Sequence, residues 1–357
     1  MSYRKSYCLF GYFGFKNFGD DLMLVNALNH LDLIKRNNTY IVFVAEDYYS
    51  EQKAFTSFKN IKVKYIRLTP LINYICIYYY AFISREAFWI GGTSLYESSA
   101  ANLDGIVWLN KVINKFQLFG KNFSFCNIGI GDFTSEKGLN LYKQIVNKSK
   151  RFSCRDHVSL MKLKNFFPEK PNVFEGGDLA CLLESSFFNR DPKSIVFCGH
   201  FQYQDDESVV ETYSAILNDI CKGKEKVLFM PMHQGTQSDN QFHNKVSQKL
   251  TTPFEIINYS DDLFKYMSQA KIVISMRLHG LVLADILGIP NIGISYHDKV
   301  SIYIKSTNTL VEYRNKKVKE NISIETIQKV ISNYKKPTEF LNQEKNKAIK
   351  GMKVFEV

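Results

Sequence analysis

The stretch Ser275-Met276-Arg277-Leu278-His279-Gly280 carries a guanidinium and an imidazole two residues apart. The guanidinium is a fixed fork of N–H donors that matches a carboxylate or a phosphate. The imidazole moves protons near neutral pH. Just upstream, Ile272, Val273 and Ile274 form a β-branched run that predicts a short buried strand over 271–275. Residues 278–287 are helix formers without a break, stopped by Gly288 and Pro290, and 291–295 predicts the next strand. Arg277 and His279 therefore fall on a strand-to-helix turn. That is where open parallel sheets bind ligands and where a helix N-terminus favours an anion. The chemistry implied is an anion held by Arg277, Ser275 and the start of the helix at Leu278, with His279 in acid–base work. The plain alternative is a surface Arg and a His that caps local structure.

A second constellation opens the chain. A predicted strand over 7–10 runs into Gly11-Tyr12-Phe13-Gly14-Phe15-Lys16-Asn17-Phe18-Gly19-Asp20-Asp21, and a helix is predicted from about 20 to 31. Gly14 and Gly19 have the spacing of a phosphate loop, but Asp20 and Asp21 follow where that loop needs Lys and Ser or Thr. Two carboxylates there suit the helix dipole and would repel phosphate. They can cap the helix and also accept hydrogen bonds from sugar hydroxyls. Other predicted strands end in similar turns: 86–90 before Gly91 and Gly92, 123–128 before Gly129 and Gly131, 151–154 before Arg155, and 172–174 before Gly176 and Gly177. Such a row of turns marks one edge of the sheet as a site. Cys154, beside Arg155, reads as a strand-buried thiol rather than a nucleophile.

Strand–helix alternation resumes after a polar linker near 189–194, with strands at 195–198, 226–230 and 254–258 and helices at 208–221, 238–250 and 261–269. A last helix spans 322–334, and Pro337 leads into a basic tail that can cross back onto the first half. The predicted fold class is α/β, with two Rossmann-like domains facing a cleft, like the GT-B glycosyltransferases. The first domain covers 1–188 and the second 195–320, with helices and tail over 321–357. A length of 357 residues fits two cores better than one. Seven scattered cysteines without a C-x-x-C pair argue against a disulfide framework or a zinc knuckle and fit a reducing compartment. Met1 to Lys5 lacks the pattern of a secretory signal, so a cytoplasmic location is expected. The net charge of +11 suits an anionic partner, and no nucleic-acid motif accompanies it. Part of the charge is the run Arg314 to Lys319. Leu68 to Ser84 carries no charge and many tyrosines. It predicts either a buried helix covering the sheet or a patch that dips into a membrane surface.

Five motifs in order give a family resemblance. Gly14-Phe15-Lys16-Asn17-Phe18-Gly19-Asp20-Asp21, Gly91-Gly92-Thr93-Ser94-Leu95, Arg155-Asp156-His157-Val158-Ser159, Pro231-Met232-His233 with Asp239, and Ser275 to Gly280 with the following strand resemble the signature of the polysaccharide pyruvyltransferases. Asp47 to Phe82 and the tail lie outside the resemblance. It implies transfer of the carboxyethylidene group of phosphoenolpyruvate onto two hydroxyls of one sugar, releasing phosphate. Phosphoenolpyruvate is then a co-substrate, and no resident cofactor or metal is implied. Arg155 and Arg277 become candidates for the donor anion from two sides of the cleft. His279 becomes the general acid and Asp20 or Asp21 the base. Asn17, Gly92, Thr93, Ser94 and His233 become candidates for the acceptor. The charge and the tyrosine-rich segment point to a lipid diphosphate-linked acceptor at an anionic membrane surface. Two other readings stay open: a glycosyltransferase with a nucleotide-sugar donor, and a non-catalytic sugar-binding component of a polysaccharide assembly.

Overall fold

The computed structural model describes residues 5–35, 37–69, 72–97, 103–184, 190–221, 225–235, 237–259, 263–295, 298–307, 311–314 and 322–356. The basic run at 315–319, the first two residues of the helix expected at 261–269, and position 189 of the expected linker lie outside the described residues. The chain divides into two compact units: residues 1–15, 19–182 and 343–357 form the first, and residues 16–18 and 183–342 form the second.

The first unit runs β1 (Ser6–Phe10), α1 (Phe18–Ile34), β2 (Thr39–Val44), α2 (Lys53–Thr56), β3 (Lys62–Arg67), α3 (Ile72–Ile83) and β4 (Glu86–Ile90). It continues with β5 (Thr93–Leu95), α4 (Asp104–Leu118), β6 (Asn122–Ile130), α5 (Glu136–Lys148), β7 (Phe152–Cys154), α6 (His157–Phe166) and β8 (Val173–Glu175). Its strands pair in parallel in the order β3-β2-β1-β4-β6-β7-β8, with β5 beside β6. The inner strands are buried along nearly their whole length. A sheet covered on both faces needs such continuous apolar runs rather than alternation. Phe10 stacks on Phe43 with ring centroids 4.5 Å apart, and Phe125 on Phe152 at 4.6 Å. β3 is an edge strand with Lys62, Lys64 and Arg67 exposed, charges that keep an edge from pairing with other chains.

The second unit runs β9 (Ser194–Cys198), α7 (Glu207–Cys221), β10 (Lys226–Phe229), α8 (Asp239–Ser247), β11 (Phe254–Ile256), α9 (Leu263–Ser268) and β12 (Ala270–Ser275). Then come α10 (Leu278–Leu287), β13 (Asn291–Ser295), α11 (Asp298–Thr307), β14 (Val311–Arg314) and α12 (Ile324–Asn333). The order is β11-β10-β9-β12-β13-β14, all parallel. In each sheet the strand order reverses once, between β1 and β4 in the first and between β9 and β12 in the second. Loops leaving the carboxyl ends of those strands diverge to opposite faces, which opens a crevice for a ligand.

The last helix, α13 (Thr338–Gly351), enters the first unit at residue 343. Asn127 Nδ2 donates to Ala348 O at 3.0 Å, Arg151 Nη1 to Glu356 O at 2.9 Å, and Phe355 stacks on Phe88 at 4.1 Å. The turn Gly176-Gly177, expected to edge a site, instead seats this helix: a Cβ on Gly177 would stand 2.4 Å from Glu344 O. Strand β3 and helices α4, α5 and α11 were not anticipated from sequence, because β3 is masked by its lysines and the helices lie between the turn motifs.

Candidate active site

In the second unit, one carboxylate organises the site. Asp239 opens α8 and its side chain is fully buried. It accepts from the backbone N–H of Phe201 at 3.2 Å, Met232 at 3.1 Å and His233 at 3.0 Å. Arg277 donates to it through Nε at 3.1 Å and also through Nη2. Phe201 follows β9, Met232 and His233 follow β10, and Arg277 follows β12. A single charge thus ties together the ends of three neighbouring strands, at the point where the strand order reverses. Five donors on one carboxylate compensate the loss of water that burial imposes. The Arg277 guanidinium also lies over the Phe201 ring, 5.4 Å from its centroid.

The turn that presents Arg277 is built locally. Arg277 is the N-cap residue of α10, and Gly288 closes that helix in the left-handed region at φ 68°. Ser275 is buried, and its hydroxyl accepts from Arg277 N at 3.0 Å and donates to Arg277 O at 2.8 Å. It shapes the turn from beneath. Gly280 allows α10 to settle on this hydroxyl, since a Cβ there would stand 2.5 Å from Ser275 Oγ. Leu278 and His279 are the first two residues of α10.

His233 pairs with Asn17 in an isolated antiparallel bridge, flanked by Phe18 N to Met232 O and Gln234 N to Lys16 O, both 2.9 Å. Burial, and then the Arg277 charge, hold the His233 imidazole below its ordinary range, so it stays neutral. His243, on the buried face of α8, accepts from Gly199 N through Nε2 at 3.0 Å, and its Nδ1 meets Asn240 Oδ1 at 2.9 Å. The backbone donor assigns the ring proton to Nδ1. Burial and the Arg277 charge push this imidazole down to about 3. Sequence reasoning missed His243, Phe201 and the role of Asp239. The Gly199-His200-Phe201 turn after β9 was the available signal for the last two.

In the first unit the carboxyl ends of β1, β4, β6 and β7 bring together Asp20, Gly92, Thr93 and Arg155. Gly91 and Gly92 take φ of 62° and 68°. A Cβ on Gly92 would stand 3.2 Å from Asp20 Oδ1, so that carboxylate lies against the turn. Ser94 is buried, takes Trp89 Nε1–H at 2.5 Å and donates to Gly91 O at 2.8 Å, so it holds the turn's shape. Arg155 Nη2 reaches Thr93 Oγ1 at 3.5 Å, and its Nε lies 3.6 Å from Asp156. Asp156 caps α6 through Ser159 N, and Ser159 Oγ accepts from Ile130 N at 3.0 Å. Asp20 and Asp21 have different surroundings. Asp21 is buried and receives the Tyr48 hydroxyl at 2.6 Å and that of Tyr49, two residues that the motifs gave no sign of. The Tyr49 oxygen in turn accepts from Gly14 N at 2.9 Å. Gly14, at φ 83°, packs where a Cβ would stand 2.5 Å from Glu46 N, so it serves the turn's approach to β2. Cys154 is buried and its thiol is pushed up to about 12 by burial, which removes it as a nucleophile. Among the described residues no group of three or more His, Cys, Asp or Glu is placed to hold a metal ion.

Comparison with known proteins gives three findings. The polysaccharide pyruvyl transferase family matches residues 17–298. No curated protein matches the chain. Among solved structures, UDP-GlcNAc 2-epimerase from Methanocaldococcus jannaschii is similar with a TM-score of 0.63 at 11% identity, over 98% of this chain and 99% of that one. UDP-GlcNAc 2-epimerase from Neisseria meningitidis, bound to UDP-GlcNAc, has a TM-score of 0.62 at 11% identity, over 98% and 99%. A UDP-glucosyltransferase from Polygonum tinctorium has a TM-score of 0.54 at 9% identity, over 100% of both chains. At such identities the likeness shows a shared GT-B-like fold of two parallel α/β sheets.

Proposed function

This chain belongs to the polysaccharide pyruvyl transferase family, and from that premise we propose that it moves the carboxyethylidene group of phosphoenolpyruvate onto two hydroxyls of a saccharide in surface-polysaccharide synthesis, in the cytoplasm. Membership makes the chain a transferase and sets aside a purely sugar-binding role. The observation that carries the donor assignment is Arg277 at the N-terminus of α10, fixed by Asp239 at the strand-order reversal. Asp239 takes the Nε and Nη2 side of the guanidinium, so the donor's charge meets the Nη1 side and the first N–H groups of the helix.

His279, two residues beyond Arg277, gives its proton to the methylene carbon of phosphoenolpyruvate. The resulting cationic centre is attacked by one sugar hydroxyl and then by a second. Two C–O bonds form to the sugar, the C–O bond to phosphate breaks, and one hydroxyl proton leaves with phosphate while the other restores His279. Asp20, against the Gly92 turn, first takes the hydroxyl proton that then leaves with phosphate. Asp21, already holding two tyrosine hydroxyls, keeps the loop in place. Arg155 supplies a second cation for the donor, and Asn17, Gly92, Thr93, Ser94 and His233 shape the acceptor's binding. The acceptor is a saccharide on a lipid diphosphate.

The test is incubation of the full chain with phosphoenolpyruvate and a panel of lipid-linked saccharides. Phosphate release together with a saccharide mass increased by one carboxyethylidene group is expected. Release of a nucleotide from a sugar nucleotide, with no use of phosphoenolpyruvate, would replace this reading with glycosyl transfer.

A further inference from the structure

Helix α3 is apolar on two faces. One face covers the sheet: Ile77 and Ala81 are buried, and Tyr80 meets Phe43 edge-on. The opposite face repeats at helical spacing and points outward: Ile75 is 74% exposed, Tyr79 57% and Phe82 64%. The neighbouring α4 extends this surface with Leu118, 69% exposed, and Phe119, whose ring lies 5.6 Å from Phe82 and 6.3 Å from Tyr78. A helix facing water on one side carries polar residues there, and a contiguous apolar patch marks an interaction surface.

Cations border the patch. Lys111 on α4 and Arg85 past the end of α3 are exposed, Lys121 beyond α4 is half-buried, and Lys115 is buried with its ammonium 5.0 Å from the Tyr78 ring, bracing the patch from within. No Asp or Glu occurs from residue 72 to 85 or from 105 to 131. Among the described residues no helix is long and apolar enough to cross a membrane.

We propose that the outer face of α3 and the end of α4 lie on an anionic lipid bilayer, with Ile75, Tyr79, Phe82 and Leu118 entering the interface and Lys111, Lys121 and Arg85 meeting lipid phosphates. Tyrosine and lysine around an aliphatic strip suit the water–lipid boundary, where a polar tip and an apolar stem are both satisfied. A second copy of the chain fits this face poorly. A two-fold contact would set the same cations against each other with no carboxylate to answer them. The proposal deepens the lipid-linked acceptor reading, but its test needs no turnover. α4 also carries Trp108, which packs on Trp89 just before the Gly91-Gly92 turn, so the proposed lipid face and the support of that turn share one helix.

The experiment is co-sedimentation of the full chain with vesicles of phosphatidylcholine alone or mixed with phosphatidylglycerol, at low and high salt. The wild-type chain should pellet with the anionic vesicles, and about tenfold less in high salt or without phosphatidylglycerol. The triple change Ile75→Ser, Tyr79→Ser, Phe82→Ser should reduce pelleting to the neutral-vesicle level while the thermal melt is unchanged, because all three side chains are exposed. Lys111→Glu with Lys121→Glu should do the same through charge. Wild-type protein that ignores anionic vesicles at low salt overturns the proposal, as does a triple variant that pellets fully. A concentration-dependent dimer in sedimentation velocity that the triple change abolishes assigns the face to self-association and also overturns it. Vesicle binding without ketal formation would leave this face standing and remove the catalytic reading alone.

Discussion

His279 stands second in α10, two residues past Arg277. His279→Ala is expected to lower kcat by on the order of a hundredfold or more, with the apparent KM for phosphoenolpyruvate nearly unchanged. Steady-state phosphate release measures both, and full turnover in the variant removes the acid assignment. The two arginines separate by their partners. Arg155→Lys keeps a cation at a partly open site and should raise the KM for phosphoenolpyruvate without altering stability. Arg277→Lys should raise it as well, and in addition weaken the fold, because a lysine cannot give Asp239 the two parallel bonds it now receives. Breaking a buried pair in this way costs up to about 3–5 kcal/mol when the partner is lost outright. A lysine should cost less. If both variants instead raise the KM for the saccharide, the arginines belong to the acceptor.

At the scale of an element, the seat of α10 on β12 is the sensitive joint. Gly280→Ala gains about 1 kcal/mol of helix propensity at most. Against this, the new Cβ would stand 2.5 Å from Ser275 Oγ, the hydroxyl that holds both backbone groups of Arg277. Overpacking of this kind costs about 1–3 kcal/mol, so a net loss of stability is expected, read by circular dichroism. A larger loss is expected in kcat/KM, since the shift is passed directly to Arg277. A variant as active as the wild type would show that the turn tolerates displacement and that its geometry is not what binds the donor.

For the whole molecule, the C-terminal segment is a structural part of the first unit. Phe355 is buried against Phe88. Phe355→Ala should destabilise that unit by about 3 kcal/mol or more through a cavity in a packed core. A chain of two units need not unfold in one step. Both tryptophans of the chain, Trp89 and Trp108, belong to the first unit, so intrinsic fluorescence follows that unit alone. An earlier fluorescence transition in denaturant is expected, and an unchanged one would mean that the tail merely rests on the sheet.

The stretch from 271 to 295 was legible in the sequence because its signals are local. β-branched residues specify the strand, and Gly288 ends the helix by adopting a backbone that other residues resist. Helix α10 and strand β13 accordingly span the expected residues 278–287 and 291–295. Which residue holds Arg277 was not legible. Asp239 lies 38 residues away, and the two meet because β10 and β12 flank the same strand, β9, with their carboxyl ends level. The glycine turns show the same divide. Gly91-Gly92 and Gly176-Gly177 look alike in sequence, yet the second is covered by a helix more than 160 residues further on, where a close approach of backbones, not a ligand, requires the missing side chain. In α3 the composition gave an apolar helix, and only packing against the sheet decided that Ile77 and Ala81 are covered while Ile75, Tyr79 and Phe82 are not. Local propensity fixes where an element starts and stops. Which of its faces meets protein, and which polar groups share a site, depends on strand order and on chain crossings that no short window of sequence contains.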